Sequence, residues 1–361
     1  MSLSLGIVGL PNVGKSTLFT ALTSKQVEVA NYPFATIDPN VGVVEVPDER
    51  LVQLAEMSRS QKTIPSIVEF TDIAGLVKGA SEGVGLGNKF LSHISEVDAI
   101  LYVIRAFESK DIQHIEESVD PVRDSDIVRS ELALKDIETI DKRIYNLTKE
   151  LKRSSKDKEL QQEQEVLQEW LECLNSDVHI YQHLKKSTHN TQDISRILKK
   201  VHLLTAKPVL YVVNAHADIA DSLKQYIQGL GCGYIVLDAQ AELEGAQMTQ
   251  QERQEIGLEK SALPTLIQES YKVLNLISFF TTGEKESRAW TVKKGSTAPV
   301  AGGVIHSDFE DFFIRAEVIQ WQTLLKVGSW SDAKKQGLVR TQGKEYVVQD
   351  GDVMIFLYNQ T

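Results

Sequence analysis

The chain has 361 residues, of which 42% are hydrophobic and 25% are charged, and its formal net charge is -11. This length predicts two or three domains, and the acidic balance excludes a protein that holds DNA or another polyanion by its overall charge. Because the two cysteines lie far apart, the N-terminus has no basic signal region and no apolar run approaches ~18 residues, we expect a cytoplasmic protein with neither a disulfide framework nor a membrane partner.

Five short apolar runs alternate with helical segments between residues 3 and 239. They cover residues 3–10, 65–75, 99–107, 208–214 and 234–239. Continuous apolar strands that alternate with helices predict an α/β fold with a mostly parallel sheet covered on both faces.

A phosphate-binding loop follows the first run. Residues 9–17 read GLPNVGKST, which matches the pattern G-x-x-x-x-G-K-[ST] between a predicted strand and a predicted helix. Gly9 and Gly14 let the backbone N–H groups point at phosphates. Lys15 adds a positive charge, and the Ser16 hydroxyl is a ligand for Mg²⁺. A chance glycine turn is the alternative, but it gives no reason for a strand and a helix at its two ends.

Two further segments predict contacts with Mg²⁺ and the γ-phosphate. Asp72 ends an apolar strand, where a carboxylate holds Mg²⁺ through water, and the N–H of Gly75 is placed to donate to the γ-phosphate. Thr36 lies in the polar loop 31–40 and is the candidate for closing on both. The alternatives are an aspartate that caps a strand end and an ordinary loop threonine.

The residue that would orient the attacking water is not a glutamine. Ras-like enzymes use a glutamine at this place, but this chain has Leu76, which cannot form a hydrogen bond with water. His114, in a polar segment after the third run, is a candidate for placing the water, and the alternative is a solvated loop histidine. Hydrolysis then depends on another group or on a bound partner.

Residues 121–202 have a different pattern, that of long polar helices. Isoleucine and leucine recur three and four residues apart from Ile137 to Leu151, and leucine recurs from Leu160 to Leu174, on either side of the polar break RSSKDKE. This repeat predicts a helical hairpin, an antiparallel coiled coil that projects from the sheet. Its charged surface is interpreted as a solvated face or, alternatively, as a contact for RNA or protein.

The fourth run leads into VVNAHADIA, residues 212–220. A guanine-specific protein of the Ras type would have lysine and aspartate where this chain has Ala215 and Ala217. Without that aspartate, buried N–H donors of guanine stay unpaired at a cost of about 1–3 kcal/mol, so adenine is the predicted base. Asp218 would read the base only in a shifted register, and the alternative is an N-cap of the next helix. His216 is interpreted as an exposed loop side chain.

From residue 276 the sequence predicts strands again. The segments SFFTTG, RAWTVKKG, FFIRAEVI, EYVVQ and DVMIFLY predict strands and APVAGGVIH a short helix, which together resemble a β-grasp module. The predicted organisation is a P-loop domain in two parts, 1–120 and 203–275, a helical insertion, 121–202, and a β-grasp domain, 276–361.

These motifs resemble the YchF or Obg-like ATPase family of P-loop proteins. The similar segments are GLPNVGKSTLFTALT, NYPFATIDPNVGVV, DIAGLVKGASEGVGLGNKFL and RAWTVKKGSTAPVAGGVIHSDFEDFFIRAEVI, and the resemblance covers nearly the whole chain. It implies a GTPase-type domain interrupted by a helical arm and followed by a TGS domain of β-grasp fold. It also implies a preference for ATP over GTP, a hydrophobic residue in place of the glutamine, and association with ribosomes.

The resemblance also implies roles for individual residues. Phosphates would be held by Asn12, Val13, Gly14, Lys15, Ser16 and Thr17. Ser16 and Thr36 would ligate Mg²⁺, and Asn214 with Ala215 would border the adenine. The family commonly has Asn-x-x-Glu at this place, and the chain departs from that pattern at Ala217.

We therefore predict a monomeric, Mg²⁺-dependent P-loop ATPase that acts as a nucleotide switch on the ribosome, with ATP as substrate and K⁺ as a second candidate cation. The candidate catalytic residues are Lys15, Thr36, Gly75 and His114, and the candidate metal ligands are Ser16, Thr36 and Asp72. Two alternatives stay open. One is a GTPase of ribosome assembly, and the other is a ribosome- or protein-binding module for which the nucleotide is a structural ligand.

Overall fold

The computed structural model describes residues 3–24, 40–73, 85–109, 118–154, 156–187, 191–246, 248–255 and 260–359. The strands in these ranges are β1 (Ser4–Val8), β2 (Val41–Glu45), β3 (Lys62–Ile64), β4 (Ile67–Asp72), β5 (Ala99–Arg105), β6 (Val209–Asn214), β7 (Gly233–Leu237), β8 (Leu276–Thr282), β9 (Glu286–Lys293), β10 (Phe313–Gln320), β11 (Arg340–Gln342) and β12 (Asp352–Tyr358). The helices are α1 (Lys15–Thr23), α2 (Glu49–Ser58), α3 (Gly85–Glu96), α4 (Pro121–Arg153), α5 (Lys158–Asn175), α6 (Ile180–Lys186), α7 (Thr191–Val201), α8 (Asp221–Gly229), α9 (Ala239–Ala246), α10 (Gln250–Glu255), α11 (Leu263–Val273), α12 (Ala298–Ile305), α13 (Ser307–Asp311), α14 (Trp321–Val327) and α15 (Trp330–Lys335).

The first sheet has the order β2-β4-β1-β5-β6-β7 among the described residues. Strands β4, β1, β5, β6 and β7 run parallel, and β2 pairs antiparallel with β4. The five strands predicted from the apolar runs are confirmed. Strand β5 is buried along its whole length, as a strand covered by helices on both faces should be. The predicted α/β fold class is therefore confirmed.

The carboxyl ends of the parallel strands meet at one edge of the first sheet. These ends are Val8, Asp72, Arg105, Asn214 and Leu237. In an open parallel sheet the ligand lies at this edge, since the loops that follow the strands converge there. The phosphate loop, Asp72 and the segment 214–217 lie at or directly after these strand ends, so the fold places them at the same edge of the sheet.

Helices α4 and α5 form a hairpin between β5 and β6. They pack around a buried cluster that includes Ile140, Leu147, Leu167 and Trp170, and these residues belong to the predicted apolar repeat or lie within it. At the root of the hairpin, Asp136 accepts hydrogen bonds from the N–H groups of Leu204 and Thr205 and from the Thr205 hydroxyl. Long as α4 is, none of the described helices has the length and apolar character needed to cross a membrane.

The second sheet has the order β11-β10-β12-β8-β9-β3 within the described part of the chain. Five of these strands follow residue 275, whereas β3 comes from the segment between β2 and β4 and pairs in parallel with β9. The strand predicted for EYVVQ is wrong, because residues 345–349 carry an isolated bridge from Val347 to Thr297 rather than a strand. Helices α14 and α15 lie where the sequence predicted no element.

The segment 49–64 joins the P-loop part of the chain to the second sheet. Leu51 and Leu54 of α2 are buried in one cluster with Phe280 of β8. Arg50 Nη1 donates to Asp350 Oδ2 at 2.6 Å. This segment therefore packs with the C-terminal sheet, although β2 and β4 on either side of it belong to the first sheet.

Candidate nucleotide-binding site

The phosphate loop lies between the end of β1 and the start of α1. Gly14 is the N-cap of α1 with φ 101°, in the left-handed region, and an added Cβ would collide with the Asn214 amide. Asn12 also has a positive φ, 62°, and Thr17 lies half-buried in the first turn of α1. The first N–H groups of a helix have no partner within it, and the helix dipole favours an anion beside them. The loop is therefore shaped to receive phosphate.

Lys15 is held in a dry position at the start of α1. Its side chain is buried, with 7% exposed, and Nζ donates to the carbonyl of Leu10 at 2.8 Å. Burial lowers the pKa of Lys15 to about 8, although the Asp72 carboxylate acts in the opposite direction. Phosphate oxygens would give the buried ammonium the anionic partner that one carbonyl does not supply.

Ser16 and Asp72, predicted as metal ligands, lie side by side. Ser16 Oγ donates to Asp72 Oδ2 at 3.0 Å. The other carboxylate oxygen, Asp72 Oδ1, is buried and has no hydrogen-bond partner among the described residues. A buried carboxylate oxygen without a partner costs free energy unless something binds it. A hydroxyl beside such an oxygen fits Mg²⁺, a hard cation that prefers oxygen ligands.

Asn214 connects the phosphate loop to the end of the sheet where the base is expected. Its Nδ2 donates to the carbonyl of Val13 at 2.9 Å, and its Oδ1 accepts from the N–H of Ala239 at 3.0 Å. Ala215 is buried, and its N–H donates to the carbonyl of Leu237. The loops after β6 and β7 are therefore fixed against the phosphate loop by a residue that the sequence assigned only to the border of the base.

Asp218 is directed away from this corner. Its Oδ1 accepts from the N–H of Ile219, and Lys224 Nζ donates to its Oδ2 at 3.2 Å. The N-cap of α8 is Ala220, which makes no side-chain capping bond. The interpretation of Asp218 as the cap of this helix is wrong, because its side chain accepts from the N–H of Ile219 and from the Lys224 side chain but from no backbone N–H in the first turn of α8.

Four further side chains, His216, Asp238, Phe107 and Arg105, gather at the base corner, and none of them was predicted as part of the site. His216 Nδ1 lies 2.5 Å from Asp238 Oδ2. The Phe107 ring lies against His216 with centroids 4.4 Å apart, and the Arg105 guanidinium lies over Phe107 at 4.5 Å. The exposure predicted for His216 is confirmed, since 55% of its side chain is accessible. The available signal for Asp238 was its position directly after β7, equivalent to the position of Asp72 at the end of β4.

Four sequence-predicted positions lie outside the described residues. They are Thr36, Gly75, Leu76 and His114. Their roles at the γ-phosphate, the metal and the attacking water stay predictions.

Two family models match the chain. One is MMR_HSR1, described as a 50S ribosome-binding GTPase, and it matches residues 4–139. The other is YchF-GTPase_C, described as a protein of unknown function, and it matches residues 276–359. The first match contains the phosphate loop, and the second covers the C-terminal strands.

Relatives and a solved structure extend the similarity to the whole chain. A Bacillus subtilis (strain 168) protein named Ribosome-binding ATPase YchF is 49% identical and covers 99% of this chain and 100% of the relative. The Escherichia coli O157:H7 protein of the same name is 42% identical over the same shares. A structure described as the Schizosaccharomyces pombe YchF GTPase has a TM-score of 0.87 and 39% identity, and covers 99% of this chain and 98% of that one.

Proposed function

The chain belongs to the YchF family, and from this premise we propose that it is a Mg²⁺-dependent ATPase that prefers ATP to GTP and acts as a nucleotide switch on the ribosome. The relatives named above are called ribosome-binding ATPases. The solved relative is described as a GTPase. Since the names differ on the base, the choice between adenine and guanine rests on this chain's own residues.

The observation that carries the proposal is the group formed by Lys15, Ser16 and Asp72 at the N-terminus of α1. A buried ammonium, a hydroxyl and a carboxylate oxygen that has no partner among the described residues converge there. Such a set binds a phosphate chain together with a divalent cation. A site that only binds an anion would need the Lys15 ammonium and the helix N-terminus. It would not explain the Asp72 carboxylate, which repels an anion unless a cation lies between them.

In the proposed reaction the residues of this chain mainly bind and orient the nucleotide. The N–H groups at the start of α1 and the Lys15 ammonium hold the phosphates and stabilise the charge that develops on them. Mg²⁺, held by Ser16 and Asp72 with Thr36, would neutralise further phosphate charge. Gly75 would donate its N–H to the γ-phosphate. Leu76 cannot form a hydrogen bond with the attacking water. We therefore propose that His114 or the bound ribosome orients this water, and that turnover is slow without them.

Replacing Asp72 by asparagine tests the metal site. Asparagine keeps the shape but removes the anionic oxygens, so the Mg²⁺ concentration at half-maximal ATP hydrolysis should rise about 10- to 100-fold. The measurement is phosphate release over a Mg²⁺ series. The matched control is Ser16→Thr, which keeps the hydroxyl and should shift the midpoint only a few-fold. An unchanged midpoint for Asp72→Asn would contradict the assignment, and a wild-type chain that releases no phosphate from ATP would contradict the proposed function.

A further inference from the structure

The nucleoside end of the site is bounded by two loops. Asn214 bonds to Val13 of the phosphate loop and to Ala239 after β7. A nucleotide whose phosphates lie on the phosphate loop therefore has its base against residues 214–217 and 238–240. The hydrogen-bonding character of these residues decides which base fits.

The backbone donors of the turn after β7 are already in use. The N–H of Ala239 donates to Asn214 Oδ1 at 3.0 Å. The N–H groups of Gln240 and Ala241 both donate to Asp238 Oδ1, each at 3.0 Å. The oxygen at position 6 of guanine is an acceptor and needs a donor. These three N–H groups do not supply one.

Two side chains at the same corner, those of Asp238 and His216, carry acceptors, whereas the amide groups of Asn214 and Gln240 donate to Val13 and Glu244. Burial alone would raise the pKa of Asp238, but hydrogen bonds from the Ala241 N–H and from His216 hold it below its usual value, so the carboxylate is ionised. When the imidazole carries its proton on Nδ1 and donates it to Asp238 Oδ2, Nε2 is left as an acceptor. Both side chains are accessible to a ligand, with 55% of His216 and 27% of Asp238 exposed.

The orientation of His216 is supported from its other side. Phe107 lies against the imidazole, and Phe107 is in turn covered by the buried Arg105. Arg105 Nε also donates to the Phe107 carbonyl at 3.0 Å. Asp218, which lies on the same loop as His216, is engaged with Lys224. His216 and Asp238 therefore form a hydrogen-bonded polar pair at this corner, supported by Phe107 and Arg105.

We propose that His216 and Asp238 form an acceptor pair that selects 6-amino purines over 6-oxo purines. The inference rests on the proposed ATPase function and adds the residues that read the base. Adenine carries a donor, the amino group, at position 6, whereas guanine and hypoxanthine carry a carbonyl acceptor there. The two acceptors bond to the amino group of adenine and repel the carbonyl oxygen of guanine or hypoxanthine.

The test compares ATP with inosine triphosphate, because inosine triphosphate has the 6-oxo group without the 2-amino group of GTP. Asp238→Asn keeps an oxygen to cap the first turn of α9 but turns one acceptor into a donor. The ratio of the Kd for inosine triphosphate to the Kd for ATP should fall about tenfold. His216→Ala should lower the same ratio. The control Asp218→Asn, on the same loop but bonded to α8, should leave it unchanged.

The outcomes separate this proposal from the proposed function. An unchanged ratio in Asp238→Asn and His216→Ala, or an equal loss of affinity for both nucleotides, would overturn the pair as a base reader. Thermal melting of each variant shows whether it is folded, and the ratio is read from titration calorimetry without any need for turnover. A wild-type chain that binds ATP without hydrolysing it would contradict only the ATPase proposal. The ratio of the two Kd values would still test whether His216 and Asp238 read the base.

Discussion

Replacing Lys15 by methionine is expected to lower kcat/KM for ATP by about 10²- to 10³-fold, the effect of removing one preorganised charge donor, while the folded protein becomes more stable. Lys15 is buried at the start of α1 with the Leu10 carbonyl as its partner. Methionine fills a similar volume without a charge to desolvate. The Lys15 side chain therefore contributes to nucleotide binding but lowers the stability of the folded protein.

The pH dependence of this stability change follows from the pKa of Lys15. Burial lowers that pKa from 10.5 to about 8, so the folded protein holds the proton less tightly than the unfolded chain. The ammonium therefore destabilises the fold below about pH 8, and this cost disappears as the pH rises from about 8 towards 10.5. A shift of this size corresponds to about 3 kcal/mol. The stability gain of the methionine variant should be full at pH 7 and shrink towards pH 10.

Kinetics and chemical denaturation of the two proteins at pH 7 and pH 10 check both expectations. The matched control is Lys207→Met. Lys207 Nζ also donates to backbone carbonyls, including that of Ser95 at 3.1 Å, but it precedes β6 at the opposite edge of the sheet. Its loss should leave kcat/KM unchanged. Full activity in Lys15→Met, or a marked loss of stability, would contradict the role assigned to the ammonium.

Removing residues 276–361 is expected to destabilise the remaining chain strongly. Strand β3 would lose its partner β9, and Leu51 and Leu54 of α2, now 2% and 0% exposed, would lose their cover. Burying a leucine contributes about 1.5–3 kcal/mol, so two of them account for about 3–6 kcal/mol. Typical domains have a total stability of about 5–15 kcal/mol. The fragment 1–275 should therefore aggregate or melt well below the full chain.

The fragment can be tested with and without a compensating change. Leu51→Gln with Leu54→Gln should restore solubility to the fragment 1–275 and should destabilise the full chain. Val52→Gln is the control, because Val52 lies on the same helix and is already 53% exposed. Val52→Gln should not restore the solubility of the fragment 1–275. Circular-dichroism melting curves of the fragment and full chain that coincide would show that residues 49–64 do not depend on the second sheet.

The sequence predicted the first sheet well because its signals are local. Each parallel strand is a continuous apolar run, and the burial of β5 over its whole length shows why that pattern arises. Strand β3 could not be predicted in the same way. It has three residues, and it is a strand because Lys62 and Ile64 pair with Glu286 and Arg288, which lie more than 200 residues later in the chain.

The candidate site also contains residues that local sequence signals mark and residues that only the strand pairing brings together. Lys15, Ser16 and Asp72 were predicted because a motif and a strand end mark them, and the structure brings the three together. The pair of His216 and Asp238 was not predicted, because it joins the ends of two strands that are neighbours in space, β6 and β7. A side chain's partner across such an edge depends on the register of the strands, which a single sequence does not show.

Titration calorimetry of ATP and GTP against the full chain in one Mg²⁺ buffer shows whether a phosphate site of the P-loop type is joined here to a base corner that fits adenine. We expect ATP to bind at least about tenfold more tightly than GTP, since a mismatched donor or acceptor at the base costs about 1–3 kcal/mol. Equal affinities, or tighter binding of GTP, would contradict it.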